Sequence, residues 1–141
     1  MNDRQPYEFF DHTADIGIRA EAPTLGELLV RMAQGLTELL VEQSHIEAIE
    51  ERAVRLEAPD ATSLLLAWLK ELLYWFSAEG FLPSRYELTD VGPTSLRGVV
   101  RGERFDPQRH QQGREVKAIT RHLLRVEERG GRWHGEVIVD I

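Results

Sequence analysis

The chain has 141 residues, 42% of them apolar and 29% charged, with a formal net charge of −7 and no cysteine. That length suits one domain, residues 1–141, burying roughly 68% of its unfolded surface, and the missing thiols exclude disulfides, thiolate zinc sites and cysteine nucleophiles. The acidic balance argues against a protein that holds nucleic acid unaided, because phosphate binding needs a basic footprint.

The opening residues, Met1 to Pro6, carry no apolar core of signal-peptide length. The longest uninterrupted apolar run, Leu64 to Leu69, is far too short to span a bilayer. A cytoplasmic protein without membrane contact is the expectation. Tyr7 to Phe10 and Ile16 to Ala20 read as short strands, and between them stands Asp11-His12-Thr13-Ala14-Asp15. Two carboxylates and an imidazole at the edge of a buried sheet need partners, since an unpaired buried charge is costly. A cation or a basic side chain would serve.

Thr24-Leu25-Gly26-Glu27 is a capping-box pattern, and Leu25, Leu28, Leu29, Met32, Leu36, Leu39 and Leu40 follow at helical spacing. A helix from about Thr24 to Val41 is expected, its Met and Leu stripe facing the core. Ser44 to Glu51 reads as a polar connection whose Glu47, Glu50 and Glu51 face solvent. Ala53 to Ala58 alternates with period two and reads as a strand that Pro59 breaks. Asp60 or Thr62 then caps a second helix, which Gly80 ends. Its apolar residues, Leu64 through Phe76, cover so much of its circumference that it should be the most buried helix.

The remainder reads as strands: Tyr86 to Leu88, Ser95 to Arg101, Glu115 to Thr120, Leu123 to Glu127 and Trp133 to Asp140. Glu128 to Arg132, with Gly130 and Gly131, turns the last two into a hairpin. Gly102 to Gly113 reads as a long polar loop. Together these give an α+β domain, two helices packed on a mixed, largely antiparallel β-sheet. Charge is uneven: residues 1–90 carry 17 acids against 7 bases, residues 91–141 only 7 acids against 10 bases. The arginines of the last third read first as a solvated strand face, and second as a contact for RNA or an acidic partner.

Hydrolase elbow, Walker, dinucleotide and zinc-protease motifs are all absent. The five histidines are scattered, and a lone histidine is more often a hydrogen-bonded structural group than a ligand. The final strand carries one acid, Asp140, beside the terminal Ile141. This suggests that the two ends of the chain meet around one acidic site. Asp11, Asp15 and Asp140, with the Ile141 carboxylate, make an oxygen-only donor set that favours Ca²⁺ or Mg²⁺ over Zn²⁺. On spacing alone, turn hydrogen bonds at Asp11 and Asp15 with a frayed Asp140 remain an equal alternative.

Four ordered motifs carry a family resemblance: Tyr7 to Gly17; Gly102-Glu103 with Phe105-Asp106-Pro107 and His110; Val116 to His122; and Val139-Asp140-Ile141. Together they resemble the archeases over nearly the whole chain. Arg121 departs from the pattern, standing where the family has an aromatic residue. The resemblance implies an archease-like fold and a protein cofactor, itself no enzyme. Its partner is the GTP-dependent RNA ligase that joins 3′-phosphate or 2′,3′-cyclic phosphate ends to 5′-hydroxyl ends. It implies promotion of ligase guanylylation and repeated turnover in tRNA splicing and RNA repair, with RNA touched only through the ligase complex. It also implies a divalent cation, Ca²⁺ before Mg²⁺ or Mn²⁺, with Asp15 and Asp140 as ligands and Asp11 and Ile141 as weaker candidates. His12, Lys117 and His122 fall inside matching motifs as partner-contacting or site-supporting residues. A chaperone-like modulator of a tRNA-modifying enzyme, such as a tRNA methyltransferase, is the alternative role. A stand-alone metal-dependent phosphodiesterase ranks last, since no nucleophile or second metal cluster is evident.

Overall fold

A computed structural model describes residues 6–12, 15–42 and 45–141, the side chains of Asp11 and His12 excepted. In chain order the elements are β1 (Glu8–His12), β2 (Asp15–Ala22), α1 (Leu25–Leu40), β3 (Val41–Glu42), β4 (Glu50–Glu57) and α2 (Ala61–Glu79). Then follow β5 (Phe81–Gly92), β6 (Ser95–Arg104), β7 (Gln111–Gln112), β8 (Ala118–Ile119), β9 (Arg125–Arg129) and β10 (Arg132–Asp140).

Local chemistry sets the helix ends as the sequence suggests. Thr24 Oγ1 accepts the Glu27 amide at 3.1 Å, and the Glu27 carboxylate pairs with Arg31 at 3.7 Å. Asp60 Oδ1 accepts the Ser63 amide at 2.7 Å to start α2, and Gly80, at φ 71°, ends it. The β9–β10 hairpin turns on Gly130 and Gly131, both at positive φ, the requirement of a two-residue turn that follows strand twist.

The strands form a five-stranded sheet (β1-β2-β10-β8, with β9 also on β10), a three-stranded sheet (β4-β6-β5) and the β3–β7 pair. All pairings among the described residues are antiparallel. Both helices contact both larger sheets, so one core serves the domain. Trp68, fully buried in α2, donates its indole N–H to the Leu29 carbonyl at 2.8 Å and ties the helices together. Gly35 admits Ile18 of β2 against α1, where a Cβ would stand 2.8 Å from Ile18 Cγ2.

Several details differ from the sequence reading. The more buried helix is α1, with 10 of 16 residues buried against 7 of 19 in α2, where Tyr74 is 61% exposed. Apolar residues around α2 include a solvent-facing share that composition does not reveal. Strand β6 runs on to Arg104, and only Ala118–Ile119 of the expected Glu115–Thr120 strand pairs. Leu123 lies in a turn before β9. Glu50 is half-buried between Arg52 (3.0 Å) and Arg104 (3.3 Å), not turned out to solvent. Among the described residues no helix is long and apolar enough to cross a membrane.

Candidate functional site

The chain ends meet side by side in the five-stranded sheet. Strand β10 pairs with β2 so that Asp140 stands opposite Asp15, and on the far side of β2 His12 is the backbone partner of Asp15. Opposed residues of an antiparallel pair lie about 4.5–5.5 Å apart between Cα atoms and project to one face. Asp15 and Asp140, both half-buried, therefore share a face at the end of the sheet. Like charges directly opposite destabilise a strand pair. A cation placed there, whether a metal or a basic side chain, would offset that repulsion.

Lys117 reaches the same place by its backbone: its amide donates to the Asp140 carbonyl at 2.7 Å, and Asp140 is the register partner of Ala118. Thr120 follows, donating its amide (3.1 Å) and hydroxyl (2.8 Å) to the Ile138 carbonyl. Ile141 directly follows β10 and packs half-buried against the core. His122 lies exposed in the turn that leaves β8. Asp11 is the register partner of Ile16, but its side chain and that of His12 lie outside the described residues, as do Thr13 and Ala14. Among the described residues no three His, Asp or Glu side chains converge as metal ligands. The described donor set is thus the Asp15–Asp140 pair, all oxygen and suited to a hard cation.

Beside this pair, Phe10 lies over Gly17, where a Cβ would collide with its ring. The Arg19 guanidinium covers the ring 4.2 Å from its centroid. This packing holds β1 against β2 directly next to Asp15.

A second polar cluster, built on Glu103, supports the segment that reaches Lys117. Glu103 is 3% exposed yet ionised. Arg109 grips both its oxygens, the Glu47 amide donates to Oε2 at 2.7 Å, and His110 Nε2 lies 3.1 Å from the same atom. The Asp106 amide donates to His110 Nδ1 at 2.8 Å, so the ring's proton is on Nε2 and donates to Glu103. The Arg109 guanidinium holds the Glu103 carboxyl down to about 2, against burial, which raises it; the Glu47 amide and His110 assist. This cluster fixes the loop after β6. The chain then closes α1, Gly113 and Arg114 donating to the Leu40 and Leu39 carbonyls at 2.9 and 2.7 Å. Sequence reading placed Glu103 and His110 in a motif but assigned them no role. The available signal was an acid, an Asp-Pro turn and a histidine spaced to fold back on one another.

The arginine-rich last third forms mostly ion pairs. A surface cleft of about 780 Å³ contains Arg19, Arg31, Arg125, Arg129 and Arg132 but neither Asp15 nor Asp140. Glu136 pairs with Arg19 (3.2 Å) and Arg125 (3.4 Å), Glu21 with Arg132 (2.8 Å), Glu127 with Arg129 (2.5 Å) and Glu27 with Arg31 (3.7 Å). Charge there is largely internally balanced.

Comparison with known proteins covers nearly the whole chain. The model of the archease protein family (MTH1598/TM1083) matches residues 7–141. The protein archease of Methanopyrus kandleri is 38% identical over 139 residues, covering 96% of this chain and 99% of its own. The solution structure of Methanobacterium thermoautotrophicum protein 1598 superposes with a TM-score of 0.82 at 34% identity, over 97% of this chain and 99% of that one. The crystal structure of an archease from Thermotoga maritima, described as a possible chaperone, gives 0.64 at 25% identity over 94% of each chain.

Proposed function

Because this chain belongs to the archease family, we propose that it is a protein cofactor of the GTP-dependent RNA ligase, promoting ligase guanylylation and multiple turnover. The observation that carries the reading is the Asp15–Asp140 register, which brings two carboxylates from opposite chain ends to one face beside Lys117. Asp15 and Asp140 would hold a divalent cation, Ca²⁺ first and Mg²⁺ or Mn²⁺ next, with the Ile141 carboxylate and Asp11 as further oxygen donors. Such an ion, when bound, would turn an acidic strand end into a positive contact for phosphate or carboxylate groups of the partner. The chain's own residues position it: Lys117 ties the 114–120 segment to Asp140, and Phe10 over Gly17 holds β1 against β2. RNA would be met only in the ligase complex, since the chain is acidic and its cleft arginines are matched by glutamates.

Single-turnover labelling of the ligase with radioactive GTP, before RNA is added, tests this. Each tenfold gain in rate corresponds to about 1.4 kcal/mol off the barrier. Wild-type protein should raise the rate, and Asp15→Ala or Asp140→Ala should abolish the gain. An unchanged rate, with RNA cleaved or joined in the absence of ligase, overturns the activator reading. The chaperone-like alternative draws on the description of the Thermotoga protein as a possible chaperone; its client, a tRNA-modifying enzyme such as a tRNA methyltransferase, comes from the family resemblance alone. This alternative predicts no effect on guanylylation.

A further inference from the structure

The outer edge of β10 is covered by two short strands laid end to end, β9 opposite Arg132 to Glu136 and β8 opposite Val139 and Asp140. Between these ladders β10 has only Val137 and Ile138, whereas the edge chain has Thr120 to Leu124. The surplus is pushed out of the sheet as a turn. Thr120 pins one end to the Ile138 carbonyl. The other end is held by Leu124, which packs against the core, and by the Val126 amide on Thr62 Oγ1 at 3.1 Å. The Leu124 amide closes the turn on the Arg121 carbonyl at 3.2 Å.

Within this turn Leu123 adopts φ 57°, unique among the described non-glycine residues in having positive φ. Turns with positive φ at their third position favour glycine, which has no Cβ to crowd the following carbonyl, or asparagine, whose side chain offsets that crowding by hydrogen-bonding locally. Nor is the leucine rewarded by burial, since it is 53% exposed. Asparagine would suit both the backbone and the solvent better. A strained backbone that displays an aliphatic side chain to water is poorly explained by stability, and strain of this kind collects where a surface is used.

We infer that the turn presents Leu123 as an apolar anchor to a partner protein, entering an apolar socket rimmed by carboxylates. The rim charge follows from the anchor's own segment. From Arg114 to Arg125 the chain has four basic residues and one acid, within a protein of net charge −7. Arg114, Lys117 and Arg121 are exposed there. An aliphatic tip suits a protein socket better than RNA, whose bases stack on aromatic or guanidinium planes. The inference rests on the activator reading, with the ligase as the partner, because the same segment carries Lys117 to Asp140.

The test compares Leu123→Asn and Leu123→Gly, which remove strain and anchor together, with Leu123→Met, which keeps an apolar tip. Leu123→Asn should melt about 2 °C higher than wild type. The concentration of protein giving half-maximal ligase guanylylation should nevertheless rise about tenfold in the Asn and Gly variants, and stay near wild type for Met. Higher stability with an unchanged half-maximal concentration overturns the anchor. So does a fall in melting temperature for both Asn and Gly, which would deny the strain. If the variants instead weaken binding of a fluorescent RNA oligonucleotide without ligase, the turn is an RNA contact and the protein socket is wrong. Wild-type protein that leaves the ligase unmoved sinks the activator reading itself, a result distinct from stimulation that Leu123 does not influence.

Discussion

Replacing Glu103 with glutamine probes a buried carboxylate held by Arg109, His110 and the Glu47 amide. The carboxyl sits at about 2 against an ordinary 4.5, chiefly because Arg109 grips it. A shift of that size corresponds to about 3 kcal/mol of folding stability at neutral pH. Arg109 is 43% exposed, so solvent screening removes part of this, and glutamine keeps one acceptor oxygen. About 2 kcal/mol is the expected loss for Glu103→Gln at neutral pH. The sign of the pH dependence follows from a folded value below the unfolded one. The contribution is complete above about pH 4.5 and disappears as pH falls through about 2. Urea unfolding of both proteins, at neutral pH and in steps from about pH 5 to about pH 2.5, measures the difference. It should shrink across that range because the unfolded wild-type chain takes up a proton at this carboxyl that the folded chain, held at about 2, does not. A gap under about 0.5 kcal/mol at neutral pH, or one that stays constant down to about pH 2.5, would refute the assignment of this cluster as a stabilising carboxylate complex.

Three further outcomes are expected. Gly35→Ala should lower stability by about 1–2 kcal/mol in urea unfolding despite alanine's better helix propensity, because the new Cβ meets the buried Ile18 methyl; a neutral or stabilising result would show that β2 can withdraw from α1. Relative to the same protein in chelator, wild type with Ca²⁺ at about 100 times its dissociation constant should gain about 2.7 kcal/mol that Asp15→Asn lacks, and no shift with Ca²⁺, Mg²⁺ or Mn²⁺ would rule out the metal. Deleting Asp140 and Ile141 should leave circular dichroism native-like but end ligase stimulation; full activity would separate the two chain ends functionally.

Much of the fold could be read locally, for a physical reason. Thr24, Asp60 and Gly80 act on amides and carbonyls within a few residues of themselves, and Gly130-Gly131 needs only its own dihedral freedom. The apolar spacing of α1 likewise encodes its buried face without reference to the rest of the chain. Asp15 and Asp140 were legible as candidates because acids are conspicuous at the ends of apolar strands. Their partnership depends on residues 125 positions apart entering one ladder in one register, which only the assembled sheet decides.

The same holds wherever an outcome depends on what packs from outside. Glu103 sits in a strand whose neighbouring Arg101 and Arg104 look equally polar, yet Arg109, His110 and the Glu47 amide converge on it and permit burial. Apolar residues around α2 promised the most buried helix, but how much of each helix is covered depends on the approach of both sheets, and α1 received more. Nor does composition reveal that β8 and β9 share one edge of β10 with three residues to spare. That mismatch extrudes the turn and forces Leu123 into a conformation its side chain disfavours. Sequence by itself determined both helices with their caps and the Gly130-Gly131 hairpin, because capping, turn and periodicity forces act over a few residues. Tertiary structure decided register, burial and strain, because each is the joint property of segments far apart in the chain.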